Sequence, residues 1–332
     1  LISVVVVNWN RKELLRACLA SVARQTGVDF ETIVVDNGST DGSAELAEEE
    51  FGARVIRNAQ NRGFCAANNQ GIAAARGDFI ALLNNDAEAE PVWLAALHRV
   101  CGARPDVGMA ASKVLVWEDP RRIDKAGHLI FPDGQNRGRG SGALDQGQYD
   151  REEEVLWPDG CAAMYRKSML DRIGGFDEDF FAYGDDAELG LRARIAGWRC
   201  VYTPLAVVRH HRGSTMGKGS GRRLELIERN RVLLAVKLFP WSLLALNPLF
   251  FAARLIAGLR AAQHGTGDTA HFPGMAGKWT MARALIAGDL AALRMIPRML
   301  RKRAEIKRIR RLSPGDVRRL IFANRLSLSD VA

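Results

Sequence analysis

Apolar and polar positions alternate in blocks along the first two thirds of the chain. Ile2 to Val7 is an almost continuous β-branched run, the pattern of a parallel strand buried on both faces. Lys12 to Ala23 then places Leu14, Leu15, Cys18, Leu19 and Val22 on one helical face. Phe30 to Val35 predicts a second buried strand that ends in a polar turn. Arg54 to Arg57 predicts a short third strand and Asp78 to Leu83 another. Ala66 to Ala75 reads as a helix, as does Val92 to Cys101, opened by Pro91. Strands alternating with helices predict an α/β domain around a parallel sheet.

The middle of the chain is less regular. Val107 to Val116 reads as a strand, and Val155 to Tyr165 as a return to the sheet. Between them, Pro132 to Asp150 is rich in Gly, Gln and Asp and reads as a mobile loop. Asp186 to Ala196 predicts a helix stopped by Gly197. Trp198 to Thr203 and Ala206 to Arg209 read as two short strands. From Leu224 onward the pattern is helical. Leu238 to Ala253 carries no charge but contains Pro240 and Pro248. This run is shorter than the roughly 20 residues a bilayer span requires, and the two prolines break it. It predicts an interfacial or re-entrant helix pair, the alternative being a buried helix of a soluble bundle.

A chain of 332 residues, 47% hydrophobic and 26% charged, can bury a large core. The change of character divides it into residues 1–222 and a helical region, 223–332. Cys18, Cys65, Cys101, Cys161 and Cys200 are scattered with no CxxC pair. That argues against a disulfide framework or a zinc site and fits a reducing compartment. The net charge of +9 is uneven: Arg298, Arg301, Lys302, Arg303, Lys307, Arg308, Arg310, Arg311, Arg318 and Arg319 crowd the end of the chain. Such a stretch suits anionic lipid headgroups or nucleic acid. No signal-peptide pattern is visible at the start, and because the chain begins at Leu1, residues could precede it.

The densest candidate chemistry lies between Gly174 and Leu189, where six carboxylates and four aromatic rings share a loop running into a helix. A folding core has no use for that mixture, whereas a site that deprotonates a hydroxyl beside a phosphate does. Asp185 and Glu188 have the spacing of a capping box, which leaves Asp186 unexplained. At a helix start its carboxylate would stay ionised, the form a general base needs. Asp86 follows the apolar strand ending at Leu83, with Asn84 and Asn85 before it. One such carboxylate suits Mg2+ or Mn2+ shared with a diphosphate; the alternative is an acid near a helix start. His210 and His211 follow a short strand, and a neutral imidazole there could serve as a metal ligand.

Polar turns sit at the other expected strand ends, where open α/β sheets bind ligands. Asp36, in Val34-Val35-Asp36-Asn37-Gly38-Ser39, could accept from a base imide or simply close a turn. Trp9, between Asn8 and Asn10, could stack on a nucleobase or pack over the sheet edge. Arg62 could pair with a diphosphate. Asn68 and Asn69 cost helix propensity where they stand, which points to a ligand role. Neither a P-loop nor GxGxxG is present.

Seven segments in this order are similar to those of the family 2 glycosyltransferases, especially the bacterial rhamnosyltransferase-like branch: VVVVNWN, VVDNGSTDGS, NRGFCAANNQG, LLNNDAEAEP, DGCAAMYR, GGFDEDFFAYGDDAELGLRARIAGW and VVRHHRGST. They cover roughly residues 2 to 216. The resemblance implies a GT-A fold, an α/β domain with a mixed, mostly parallel sheet that binds a nucleotide-sugar at its strand ends. The helical membrane-associating region would follow it. It implies that Asp36 bonds the base, with Asn8 and Trp9 nearby, and that Arg62, Asn68 and Asn85 line the donor. Asp86 and His210 would hold Mg2+ or Mn2+, His211 being the weaker candidate, and Asn84 stands where the family's metal motif has its first acid. Asp186 would be the catalytic base, with Asp185, Glu188, Gly160 and Tyr183 supporting it or facing the acceptor. The implied enzyme is an inverting transferase that moves a sugar, rhamnose by analogy, to a polyprenyl-linked or glycan acceptor in surface-polysaccharide synthesis. It would act at the cytoplasmic face of the inner membrane, on an anionic surface. Alternatives are a catalytically inactive nucleotide-binding scaffold and a sugar-1-phosphate nucleotidyltransferase. The latter needs a Gly-rich basic loop where this chain has Asn8-Trp9-Asn10. Nucleic acid is not an expected partner, since the acidic clusters would repel its phosphates.

Overall fold

The computed structural model describes residues 1–212, 220–263, 272 and 274–331. Gly213, Ser214 and Thr215, part of the last motif, lie outside the described residues. The chain divides into two compact units, Leu1–His128 with Gly138–Arg212, and Leu129–Arg137 with Gly213–Ala332. The segment 129–137, which sequence reading left inside the first part, therefore groups with the helical part.

The first unit opens with β1 (Ile2–Asn8), α1 (Lys12–Ala23), β2 (Phe30–Asp36), α2 (Ser43–Glu49), β3 (Arg54–Arg57), α3 (Phe64–Ala74) and β4 (Phe79–Leu83). These four strands are parallel and lie side by side in the order β4-β1-β2-β3. The apolar run of β1 is covered on both faces. Val4 and Val6 join a core with Leu15, Leu19 and Val34. Val5 faces α3, so closely that a Cβ on Gly71 would lie 2.3 Å from its Cγ1. The pairing runs from Ile2 opposite Phe30 to Asn8 opposite Asp36, which carries both polar side chains to the same sheet edge.

The sheet then becomes mixed. After β5 (Ala87–Ala89), α4 (Trp93–Ala103) and β6 (Val107–Val116), the chain forms β7 (Ile123–Lys125) and a hairpin of β8 (His128–Ile130) and β9 (Asn136–Gly138). Next come β10 (Glu153–Val155), β11 (Ala162–Arg166), α5 (Lys167–Ile173), a 3-10 turn (Glu178–Phe180), α6 (Asp185–Ile195) and β12 (Arg199–His210). β11 is antiparallel to both neighbours, β4 and β6. The expected loop 132–150 therefore contains a strand, and the Ala143 carbonyl in it accepts from Ile123 N. The two short strands expected before His210 are one strand, β12, with an irregular register between Thr203 and Val207. Pro204 supplies no N–H there, and the ladder absorbs the gap as a bulge.

The second unit holds α7 (Gly221–Leu238), α8 (Trp241–Gln263), α9 (Gly274–Ile309) and α10 (Pro314–Ala323). The prolines do not split α8 as expected. Pro240 precedes the helix and its carbonyl accepts from Leu243 and Leu244, while Pro248 is carried inside it. The 21 residues Trp241–Ala261 are long and apolar enough to cross a membrane by length and composition. One face nevertheless holds half-buried polar anchors. Arg254 Nε donates to Asp133 Oδ2 at 2.6 Å and its Nη2 pairs with Glu228 at 3.0 Å. Asn247 Nδ2 donates to the Asp133 carbonyl at 2.9 Å.

Candidate active site

The nucleotide-side residues gather where β1, β2 and β4 end. Asn8 is fully buried, and its Oδ1 accepts from Asn85 Nδ2 at 2.6 Å. Asp36 is buried, and its Oδ2 accepts from Ser39 N at 2.9 Å. Its Oδ1 has no hydrogen-bond partner among the described residues. Buried carboxylate oxygens rarely go unpaired, and such an atom is a ready acceptor for a ligand N–H. Trp9 next to them is 42% exposed. Both readings of Asp36 keep support here, since one oxygen closes the turn while the other is left over. Arg62 has an exposed side chain, and its backbone N–H donates to Asn37 Oδ1. Asn68 is buried, and its amide bonds back one turn to the Phe64 carbonyl at 2.9 Å. Its neighbour Asn69 instead fastens the acidic loop, accepting from Phe176 N at 2.8 Å and donating to the Phe176 carbonyl at 2.9 Å.

Asp86 and His210 come together from the ends of β4 and β12. His210 Nε2 lies 3.3 Å from Asp86 Oδ1, and both side chains are buried. His211 N–H donates to the Asp86 carbonyl at 2.9 Å, while the His211 ring stacks on Trp117. The other His210 nitrogen, Nδ1, lies 2.8 Å from Asp124 Oδ2. Burial opposes a charge on this ring. The adjacent Cys161 sulfur and the contacts with Asp124 and Asp86 outweigh it and raise its pKa well above the usual imidazole value. Asp124 is also held by Arg212 Nε at 2.9 Å. An imidazole oriented by a carboxylate on one nitrogen, with its other nitrogen facing a second carboxylate, is a donor set that fits a divalent cation once the ion displaces the proton from that second nitrogen.

Asp186 stands at the start of α6. That helix begins one residue earlier than a capping box requires. Gly184, left-handed at φ 70°, is the N-cap and no side chain caps it. Asp185 and Glu188 therefore do not form the expected box. Glu188 turns the other way and makes a fully buried ion pair with Arg192 at 2.8 Å. Arg192 in turn holds the carbonyls of Ile173, Gly174 and Gly175. Phe181 and Tyr183 also have positive φ, 63° and 68°, so the acidic loop carries strain of the kind found at functional sites. Burial, then the neighbouring Asp186, pushes the Asp185 carboxyl well above its usual pKa. Asp186 itself accepts from Gly160 N at 3.3 Å and from Ala187 N at 2.8 Å.

Four residues that sequence reading missed complete the site. Asp124 and Lys125 sit in β7, and His128 opens β8. Asp159 precedes Gly160 in the segment DGCAAMYR. Asp159 Oδ2 lies 2.5 Å from Lys125 Nζ and 2.8 Å from His128 Nε2. An acid and a lysine side by side in the short run Ile123-Asp124-Lys125 were the available signal, yet nothing in the sequence pairs them with His210 or Asp159.

The turn from Asp159 to Cys161 joins the two halves. Gly160 N–H donates to Asp186 on one side, and the Cys161 carbonyl accepts from Asn84 N at 2.8 Å on the other. The family model for Glycosyl transferase family 2 matches residues 3–174, and that for Glycosyl transferase family group 2 matches 143–262. The chain belongs to glycosyl transferase family 2. An N-acetylglucosaminyl-diphospho-decaprenol L-rhamnosyltransferase of Mycobacterium tuberculosis is 27% identical over 243 residues, 67% of this chain and 79% of that protein. This similarity places the chain in the rhamnosyltransferase-like branch. The O-antigen biosynthesis protein RfbC of Myxococcus xanthus is 29% identical over 225 residues, 64% of this chain. The chain spans only 17% of RfbC, and 25% of a Sinorhizobium fredii relative, y4gI. The fold is that of GT-A glycosyltransferases. The mannosyltransferase PcManGT of Pyrobaculum calidifontis, solved with GDP-Man and Mn2+, aligns over 88% of this chain and 86% of its own, with TM-score 0.51 and 20% identity. GalNAc-T7, solved with UDP, GalNAc and Mn2+, aligns over 88% of this chain and 57% of its own, with TM-score 0.60 and 16% identity.

Proposed function

We propose that this glycosyltransferase moves a sugar from a nucleoside-diphosphate donor to a hydroxyl of a lipid-linked or polysaccharide acceptor, inverting the anomeric centre. The observation that carries the reading is the turn 159–161. It ties the Asp86 turn to Asp186 within one unit, so that a diphosphate-binding end and a proton-accepting end share one cradle. Asp36 Oδ1 accepts from the base, Trp9 covers it, and Asn8, Asn85, Arg62 and Asn68 line the donor side. Asp86 and His210 would hold a divalent cation, Mg2+ or Mn2+, and its charge would offset that of the leaving diphosphate.

Asp186 accepts the proton of the acceptor hydroxyl. That oxygen bonds to the anomeric carbon from the face opposite the diphosphate as the carbon–oxygen bond to the diphosphate breaks. A single displacement inverts the centre, and Asp186 afterwards releases its proton to solvent. Burial raises the Asp185 carboxyl well above its usual pKa, which favours Asp186 over Asp185 as the proton acceptor. Tyr183 and Gly160 border the acceptor side. The mycobacterial relative's name points to an L-rhamnosyl donor and a polyprenyl-diphosphate acceptor as the first substrates to try.

In this reading residues 1–222 carry the chemistry and residues 223–332 attach the enzyme to the cytoplasmic face of an anionic membrane. Trp241, Leu249, Ile256 and Leu259 of α8 are exposed, as are Trp279, Ile286, Leu290 and Leu293 of α9. α8 lies in the plane of the membrane rather than across it. A crossing would either carry Asp133 and Glu228 into hydrocarbon with Arg254 or leave that guanidinium unpaired.

The test is nucleoside-diphosphate release from a panel of nucleotide sugars, with Mn2+ or Mg2+ and polyprenyl-diphosphate-linked acceptors. Release from one donor that requires both metal and acceptor supports the reading. No release from any donor, together with no metal-dependent nucleotide binding, rejects it in favour of an inactive scaffold.

A further inference from the structure

We infer that Lys125, Asp159 and His128 form a positioning assembly that orients Asp186 and offsets the charge of the carboxylate beside it; the inference rests on Asp186 being the proton acceptor proposed above. His128, Asp159 and Asp186 present ligand atoms within 4.8 Å of one another, a set that at first suggests a second cation. Lys125 argues against that use. Its ammonium sits 2.5 Å from Asp159 Oδ2, so the oxygen that would face a cation is already neutralised by one. The same oxygen lies 2.8 Å from His128 Nε2, which places the ring proton on that nitrogen. Asp159 Oδ1 accepts from Cys161 N at 2.9 Å. Held at both oxygens, Asp159 fixes the turn that aims Gly160 N–H at Asp186 Oδ2.

Charge completes the argument. The groups facing Asp186 are Asp185 on α6, Asp159 beside Gly160, His128 on β8 and Tyr165 on β11. His128 Nε2 is 3.6 Å from Asp186 Oδ2, too far for a hydrogen bond but close for electrostatics. With Lys125 in place Asp159 is a neutral pair. Without Lys125, Asp186 would share its surroundings with a second uncompensated carboxylate, and like charges disfavour ionisation. The lysine therefore acts on the base through Asp159 without touching it.

The test is carboxyl 13C NMR of the full chain, with the Asp186 signal identified by its loss in Asp186→Asn. Lys125→Met should raise the Asp186 titration midpoint by about one pH unit or more, and Lys125→Arg should restore most of the shift. Asp159→Asn keeps the lysine and removes the acid, so it should move the midpoint the other way. This pair of opposite signs is what a merely structural role cannot produce. Should one variant fail to fold, the sign from the other decides. A midpoint unchanged in the folded variants overturns the inference. So does Mn2+ binding that survives Asp86→Ala with His210→Ala and is lost in Asp159→Asn, since the cluster would then be a cation site. The titration needs no substrate. If wild type turns over no donor yet the midpoints shift as stated, the transfer reading fails while the control of the Asp186 carboxyl by Lys125 and Asp159 holds. Where turnover is seen, kcat should fall in Lys125→Met with donor KM within about threefold, and the acidic limb of its pH profile should follow the NMR midpoint.

Discussion

Asp86 Oδ1 and His210 Nε2 lie 3.3 Å apart at the ends of two strands that are distant in sequence. If they hold the cation, Asp86→Ala should weaken Mn2+-dependent binding of a nucleoside diphosphate at least about tenfold. Asp124 orients the ring from its other nitrogen, so Asp124→Asn should cost about 10–100-fold in Mn2+ affinity. Calorimetric titration checks both. Binding that is unaffected by Asp86→Ala would remove that residue from the metal site.

Glu188 is committed to a buried ion pair within α6. Its partner Arg192 is buried with it, and truncation leaves that guanidinium with carbonyls alone. Glu188→Ala should therefore destabilise the protein by about 3–5 kcal/mol, read from denaturant unfolding. A loss below about 1 kcal/mol would mean that the three carbonyls suffice to hold Arg192.

Two helical glycines should respond with opposite signs. Gly71 has Val5 Cγ1 2.3 Å from its missing Cβ, whereas Gly102 has nothing within 4 Å. Gly102→Ala should gain about 0.5–1 kcal/mol of stability from helix propensity. In Gly71→Ala the overlap, about 1–3 kcal/mol, should outweigh that gain. Equal effects in thermal melts would mean that α3 can shift away from β1.

Membrane attachment by α8 and α9 predicts binding to vesicles containing anionic lipid, weakened by salt. Charge reversal at Arg298 and Arg301 should reduce it. Nitroxide labels at Leu249 and Leu259 should report similar depths for a helix lying in the interface. One deep and one shallow label would show a span instead.

The sheet was readable because Val4–Val7 in β1, Ile33–Val35 in β2 and Phe79–Leu83 in β4 are uninterrupted apolar runs, buried apart from the half-buried Val7. β12 was split in sequence because Pro204 interrupts a strand that the neighbouring β6 ladder keeps whole. The prolines misled the reading of α8 for a related reason. Pro240 lies before the helix and Pro248 is accommodated within it, so neither acts as the breaker it resembles. In the site, Asp86, Asp186 and His210 stood out because each closes an apolar or aromatic segment. Asp124, Lys125, His128 and Asp159 did not, since their significance lies in pairings across β7, β8 and the turn before β11. The capping-box pattern at Asp185 and Glu188 was overridden by Arg192, a stronger partner for Glu188 than a backbone N–H.

The most direct test of the central claim compares wild type and Asp186→Asn on the donor selected by the panel, measuring transfer and donor binding side by side. The account predicts that transfer falls by at least about a thousandfold, with metal-dependent donor affinity within a few-fold of wild type. Transfer that persists, or donor binding lost together with transfer, would contradict the role of Asp186 as the proton acceptor.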